Sequence, residues 1–180
     1  MRGESVRSLA AIATALALVQ SPGVLGAHGP QGRFPATSGI DADGRLLVLP
    51  APEGWTVVVF WASWCRPCMR HLGDYDLLWR DLRDRGVRVA GVGVDVAPAV
   101  FRDTIRRHGV GFPCLNDPRG RLLEALGVEG LPLAVVLDPD GRVRLAVQGD
   151  PDDLVRIRAL VSSNHDMTGT RMPPGAGSNP

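Results

Sequence analysis

The stretch from Trp55 to Cys68 reads WTVVVFWASWCRPC and decides the fold. Its first half, Trp55–Trp61, is a continuous apolar run rich in β-branched and aromatic residues, typical of a strand that is buried on both faces. After Cys65, apolar residues recur at helical spacing to about Arg85. The stretch therefore predicts a buried central strand that leads directly into a helix, with two cysteines at the junction.

Strand and helix patterns alternate through the rest of the chain, and Asp138-Pro139-Asp140-Gly141 is a hairpin signal. We expect strands at Arg45–Leu49, Val87–Val94, Phe112–Leu115, Pro132–Leu137 and Arg142–Gln148. We expect helices from Pro98 to about Gly109, from the Asp117-Pro118 cap to about Gly127, and after the Asp150-Pro151 cap. This alternation predicts an α/β sandwich around a mixed sheet.

The ends of the chain differ from its middle. Residues 1–27 have two arginines, an apolar run of 11 residues and then small residues, which is the layout of a signal peptide. The run alone is short for a bilayer span, so cleavage is favoured over an uncleaved membrane anchor. Residues 28–38 are predicted to be a linker, 39–163 the folded domain and 164–180 a disordered tail.

Composition excludes several classes of protein. The 20 basic residues, all arginine, are balanced by 19 acidic ones, so the basic surplus of a nucleic-acid binder is absent. The export signal predicts an extracytoplasmic location, in the periplasm or cell envelope, where disulfides persist. Three cysteines cannot all pair internally.

Cys65 and Cys68 lie where the predicted strand ends and the helix begins. Free N–H groups and the macrodipole at a helix N-terminus favour an anion, which lowers a thiol pKa and creates a nucleophile. The two-residue gap brings the sulfurs close enough for a disulfide, and Pro67 is tolerated in the first turn. We interpret Cys65 as the exposed attacking sulfur and Cys68 as the more buried resolving one.

These residues resemble a known family. Phe60–Cys68 looks like the active-site segment of thioredoxin-fold proteins, and the stretch from Gly130 to Gly141 resembles their cis-proline loop and following hairpin. The match is to the TlpA/ResA-like group, which includes cytochrome c maturation thioredoxins, and it covers about residues 39–161. It implies a thioredoxin-like three-layer α/β/α sandwich with a central mixed sheet.

The resemblance also implies a function. We expect an extracytoplasmic thiol–disulfide oxidoreductase that acts reductively on protein disulfides, apocytochrome c among them, and is recharged by a membrane thiol reductase. No cofactor is needed, because the cysteine pair carries the electrons. Pro132 is expected to be cis and to face the cysteines, the Leu131 backbone to pair with the substrate chain, and Trp64 to contact substrate.

Two positions depart from the family pattern. Val59 stands where thioredoxins have a buried Asp, and His71 stands where the TlpA/ResA group often has a Glu. Either His71, one helical turn from Cys68, takes over proton transfer, or it is a half-exposed helix residue without a role there.

Three alternatives remain open. Cys65, Cys68 and His71 could hold a metal in a non-catalytic binding module, although no second ligand pair exists and we expect no metal. Cys114 is either a small buried residue, which we favour, or a third redox thiol or the site of an intermolecular bridge. Asp95 is expected to cap the segment that follows it.

Overall fold

The central strand is the predicted one, and the rest of the molecule is arranged around it. A computed structural model describes residues 32–165. The strands are β1 Thr37–Ile40, β2 Leu46–Leu49, β3 Trp55–Trp61, β4 Val87–Gly93, β5 Cys114–Asn116, β6 Leu133–Leu137 and β7 Val143–Val147. The helices are α1 Arg66–Leu82, α2 Pro98–His108, α3 Arg121–Ala125 and α4 Asp153–His165, and a 3-10 turn at Arg83–Arg85 ends α1.

Five strands form one mixed sheet in the order β5-β4-β3-β6-β7. β3, β4 and β5 are parallel, whereas β6 and β7 run antiparallel to their neighbours. All seven residues of β3 and all five of β6 are buried, because both faces of the sheet are covered. The ends of β3, β4 and β5 and the start of β6 therefore lie at one edge of the sheet, where α1 begins.

Two hydrophobic clusters make up the layers on either side of the sheet. Alternate residues of β3 such as Val57 and Val59 pack against α1, α2 and α4, whose buried residues include Leu78, Phe101 and Ile157. The other residues of β3 pack against α3, Phe34 and the β1–β2 hairpin. The three-layer α/β/α sandwich with a central mixed sheet is confirmed, with the hairpin as an addition to the second layer.

The start of the described part of the chain differs from the expectation. β1 begins at Thr37, inside the range 28–38 that the composition predicts to be a linker. Phe34 is 2% exposed and packs on Phe60 with ring centroids 6.5 Å apart, and its N–H donates to the Gly141 carbonyl. Packing of this one aromatic side chain thus draws part of the expected linker into the core. Residues 28–31 and the predicted signal peptide, 1–27, lie outside the described residues.

Three elements in the second half of the chain begin at residues other than those expected from the sequence. The helix expected from Pro118 begins at Arg121, because the Asp117 carboxylate accepts the Leu122 N–H and the chain turns at Gly120. β5 begins at Cys114 rather than Phe112. The last helix begins at Asp153, whose carboxylate accepts the N–H groups of residues 149 and 150.

The last helix extends into the range that the sequence predicts to be a disordered tail. α4 continues to His165, so the first two residues of the range 164–180 are helical, and residues 166–180 lie outside the described part. None of the helices within residues 32–165 has the length and apolar character needed to span a bilayer.

Candidate active site

Cys65 and Cys68 form a disulfide at the N-terminus of α1, with their Cα atoms 5.3 Å apart. Cys65 is the N-cap residue, and its Sγ accepts the Cys68 N–H at 3.2 Å. Pro67 lies in the first turn, which contains no acidic residue. The sulfur of Cys65 is therefore held against free N–H groups at the positive end of the helix, which stabilises a thiolate there once the pair is reduced.

The burial of the two cysteines differs from the expectation. Cys65 is 5% exposed and Cys68 is 4% exposed, so the predicted contrast between an exposed and a buried sulfur is wrong for the disulfide state. Both pack into the cluster that contains Leu72 and contacts Leu131. Trp64, by contrast, is 69% exposed directly beside Cys65, where it offers an apolar surface next to the disulfide.

Asp95 reaches this site, which the sequence did not indicate. Trp61 pairs with Gly93 in the parallel register of β3 and β4, so Ser63 and Asp95 each follow that pair by two residues. The Asp95 carboxylate accepts the Ser63 N–H at 3.1 and 3.2 Å and the Ser63 hydroxyl at 2.7 Å. The expectation that Asp95 caps the following segment is wrong, because the α2 N-terminus at Ala97 has no side-chain cap.

His71 lies on α1 with its side chain 30% exposed, and its Nδ1 lies 3.3 Å from an Asp74 carboxylate oxygen. His71 and Asp74 line a pocket of about 200 Å³ between α1 and the β7–α4 loop. Tyr75 also lines it, and burial, followed by the charges of Asp153 and Asp74, raises the pKa of its hydroxyl. The contact that the structure gives the imidazole is thus with a carboxylate, and proton transfer by His71 stays a prediction.

The Pro132 loop lies at the same edge of the sheet. The Leu131–Pro132 peptide bond is cis, as expected, and Leu49–Pro50 is a second cis bond that the sequence did not reveal. Leu133 pairs with Phe60 in the antiparallel register, which places Pro132 beside the end of β3. Leu131 packs against both clusters, and the substrate contacts assigned to Leu131 and Pro132 stay predictions.

Cys114 is free and 1% exposed on β5. Its thiol donates to the Phe112 carbonyl at 3.4 Å. Burial raises the pKa of this thiol, and the neighbouring Trp61 indole and Gly91 N–H offset only part of that rise. These contacts favour the interpretation of Cys114 as a small packing residue.

The alternative metal site has no support in the part of the chain described. Cys65 and Cys68 are bonded to each other, and residues 32–165 contain no group of three His, Cys, Asp or Glu side chains arranged to hold an ion.

Several known proteins are similar in sequence to this chain. The model of the AhpC/TSA family matches residues 30–146. The thiol-disulfide oxidoreductase ResA of Bacillus subtilis (strain 168) is 27% identical over 110 residues, 61% of this chain and 62% of the relative. ResA of Geobacillus thermodenitrificans is 30% identical over 110 residues, 61% of this chain and 63% of the relative. The matched region thus spans less than two thirds of the length of these curated relatives.

Solved structures agree on the fold. A thiol:disulfide interchange protein DsbE of Chlorobium tepidum superposes with a TM-score of 0.69 at 22% identity, covering 76% of this chain and 97% of that one. The thioredoxin domain of a thiol-disulfide oxidoreductase of Bacteroides vulgatus gives 0.66 at 22% identity, covering 75% and 99%. At this identity the likeness establishes a thioredoxin-like fold.

Proposed function

Because this chain belongs to the AhpC/TSA family, and because Cys65 and Cys68 form a disulfide at the N-terminus of α1, we propose that it is a thiol–disulfide oxidoreductase acting on protein substrates. The observation that carries the proposal is the position of Cys65, whose Sγ accepts the Cys68 N–H. A sulfur held there is stabilised as the thiolate, the attacking species in disulfide exchange. The relatives named ResA support the same chemistry.

The reaction proceeds in two exchange steps. The Cys65 thiolate of the reduced protein attacks one sulfur of a substrate disulfide, and the other substrate sulfur leaves as a thiolate that takes a proton. Cys68 then loses its proton and attacks the Cys65 sulfur of this mixed disulfide, which releases the second substrate thiol. Two electrons pass to the substrate, and the protein is left with the Cys65–Cys68 disulfide.

We also propose a role for each neighbour of the cysteine pair. Trp64 provides exposed apolar surface beside Cys65, where a substrate chain must lie during attack. Pro132 lies beside the end of β3, so the Leu131 backbone can pair with that chain. His71 is the candidate for the proton transfers, since it lies on α1 one turn from Cys68 and its imidazole pairs with Asp74.

The proposal extends to the direction of electron transfer and to the cellular location of the reaction. We infer a reductive role outside the cytoplasm, on envelope proteins such as apocytochrome c, with electrons from a membrane thiol reductase. The signal-peptide pattern of residues 1–27 and the likeness to ResA support this setting.

Insulin reduction tests the activity. The full chain with a chemical reductant should precipitate insulin faster than the reductant alone, and Cys65→Ser should abolish the gain. Cys114→Ser is the matched control and should retain full activity, because Cys114 is buried away from solvent. Stoichiometric metal in a protein without turnover would instead support the metal-binding alternative.

Two further measurements test direction and location. Equilibration with glutathione should give a potential below that of the glutathione pool, as a reductant requires, and a higher potential would contradict the reductive role. A fusion to a reporter enzyme that is active only outside the cytoplasm should be active with residues 1–27 and inactive without them. Activity of both fusions would contradict export by this segment.

A further inference from the structure

The hydrogen bonds between Asp95 and Ser63 join the loop before Cys65 to the end of β4. Asp95 is 3% exposed, and the bonds to its carboxylate within residues 32–165 all come from Ser63. A second bond fixes the same junction, since the Val94 N–H donates to the Trp61 carbonyl at 2.9 Å. A buried carboxylate is costly unless it is hydrogen-bonded, so this contact holds Ser63 firmly.

Ser63 in turn belongs to the tight turn that presents Cys65. The Cys65 N–H donates to the Ala62 carbonyl at 3.0 Å, which closes a turn around Ser63 and Trp64. The position of the Cys65 sulfur relative to α1 therefore depends on the position of Ser63. The hydrogen bonds of the Asp95 carboxylate go to Ser63, so this turn connects Asp95 to the cysteine pair.

We propose that Asp95 is a positioning residue that, through Ser63, holds Cys65 in the geometry of disulfide closure while the pair is reduced. This inference rests on the proposed function. In the oxidised protein the disulfide itself restrains Cys65, whereas in the dithiol the Asp95–Ser63 bonds must do so. Loss of the bonds frees the dithiol more than the disulfide, so the effective concentration of one thiol at the other falls.

The equilibrium with glutathione measures that effective concentration directly. The protein dithiol and glutathione disulfide give the protein disulfide and two glutathione thiols, with two electrons passing to glutathione. We expect Ser63→Ala and Asp95→Ala each to lower this equilibrium constant about three- to tenfold, the scale of a lost charge-assisted hydrogen bond. The double variant should show no larger loss than the greater single loss, and Ser63→Thr, which keeps the hydroxyl, should restore most of it.

Asp76→Ala is the matched control. Asp76 is 5% exposed and accepts the Gly111 N–H and a bond from Arg80, but it lies two turns along α1 from Cys68. Its loss should lower the melting temperature and leave the glutathione equilibrium unchanged, which separates positioning from general stability.

The possible outcomes are distinct. An unchanged equilibrium constant in folded Ser63→Ala overturns the inference, as do losses that multiply in the double variant or an equal loss in Asp76→Ala. If Asp95→Ala fails to fold, Ser63→Ala and Ser63→Thr decide alone, because Ser63 is only half-buried. A native protein that does not exchange with glutathione at all contradicts the proposed function before any variant is compared.

Discussion

A methyl group added at Gly91 tests the packing around the buried Cys114 side chain. A Cβ at this position would lie 2.5 Å from the Cys114 Sγ and 3.0 Å from both the Phe112 ring and the Trp61 Nε1. Ordinary contact begins near 3.4 Å, so the sulfur must move by almost 1 Å. Trp61 is 0% exposed and Cys114 is 1% exposed, which leaves little room for that movement. We expect Gly91→Ala to lower the free energy of unfolding by about 3 kcal/mol, the upper end of overpacking costs.

Urea denaturation of the disulfide-bonded protein measures this loss, which corresponds to roughly 10 °C in melting temperature. Cys114→Ala alone should cost about 1–2 kcal/mol, because it removes buried atoms. The double variant should nevertheless be more stable than Gly91→Ala, since removal of the sulfur relieves the closest contact. Gly73→Ala is the control: its Cβ meets nothing within 4 Å, and the change should be neutral or stabilising. A Gly91→Ala protein as stable as the native one, or a double variant with fully additive losses, would refute this reasoning.

Three further predictions concern reactivity, pH and the exposed tryptophan. An aromatic disulfide reagent should release two equivalents of aromatic thiolate from the reduced native protein, because Cys68 resolves the adduct on Cys65 and the pair reoxidises. A third equivalent should appear only after unfolding, because Cys114 is buried, and rapid release of three from the native protein would contradict this. The stability that Cys114 and Tyr75 contribute should be fully present below pH 8 and should fall above about pH 9, because burial holds their pKa values above their ordinary 9.0 and 10.0. Above about pH 9 only the unfolded chain releases these protons, so the free energy of unfolding falls as the pH rises. Denaturation of Tyr75→Phe at several pH values should show a shallower fall than the native protein. An equal fall in both proteins would contradict the burial of the Tyr75 hydroxyl. Trp64→Ala should slow the reduction of a polypeptide disulfide several-fold and should hardly change the reduction of a small disulfide. The stability of the protein should also hardly change, since the Trp64 side chain is 69% exposed. Equal slowing with both substrates would contradict a contact between Trp64 and the polypeptide.

The parts of the fold that could be predicted are those with a strong local signal. The unbroken apolar run of β3 and the helical spacing after Cys65 correspond to β3 and α1 almost residue for residue. The sequence does not predict β1, because its four residues, TSGI, are neither a long apolar run nor a clear alternation of apolar and polar residues. The strand is stabilised by its antiparallel pairing with β2. The start of α3 was misplaced because Asp117 bonds to Leu122 rather than to the first turn after it.

At the active site, too, features encoded by neighbouring residues could be predicted, whereas contacts between residues far apart in the sequence could not. The cysteine pair and the cis Pro132 are visible as motifs in the chain. The contact between Ser63 and Asp95 depends on residues 32 positions apart, and only the register of two parallel strands brings them together. The equal burial of Cys65 and Cys68 likewise reflects their place in a cluster with residues from distant parts of the chain, such as Ala134 and Ile157, which local spacing does not reveal.

The most direct test of the central claim is to trap the mixed disulfide. Cys68→Ser leaves Cys65 without its resolving partner, so incubation of the reduced variant with a peptide disulfide should stop at one adduct per chain. Mass spectrometry of proteolytic fragments identifies the attached cysteine. We predict one peptide joined to Cys65 and none to buried Cys114. A folded variant that forms no adduct, or one that carries the peptide on Cys114 alone, would contradict the assignment of Cys65 as the nucleophile of a thiol–disulfide oxidoreductase.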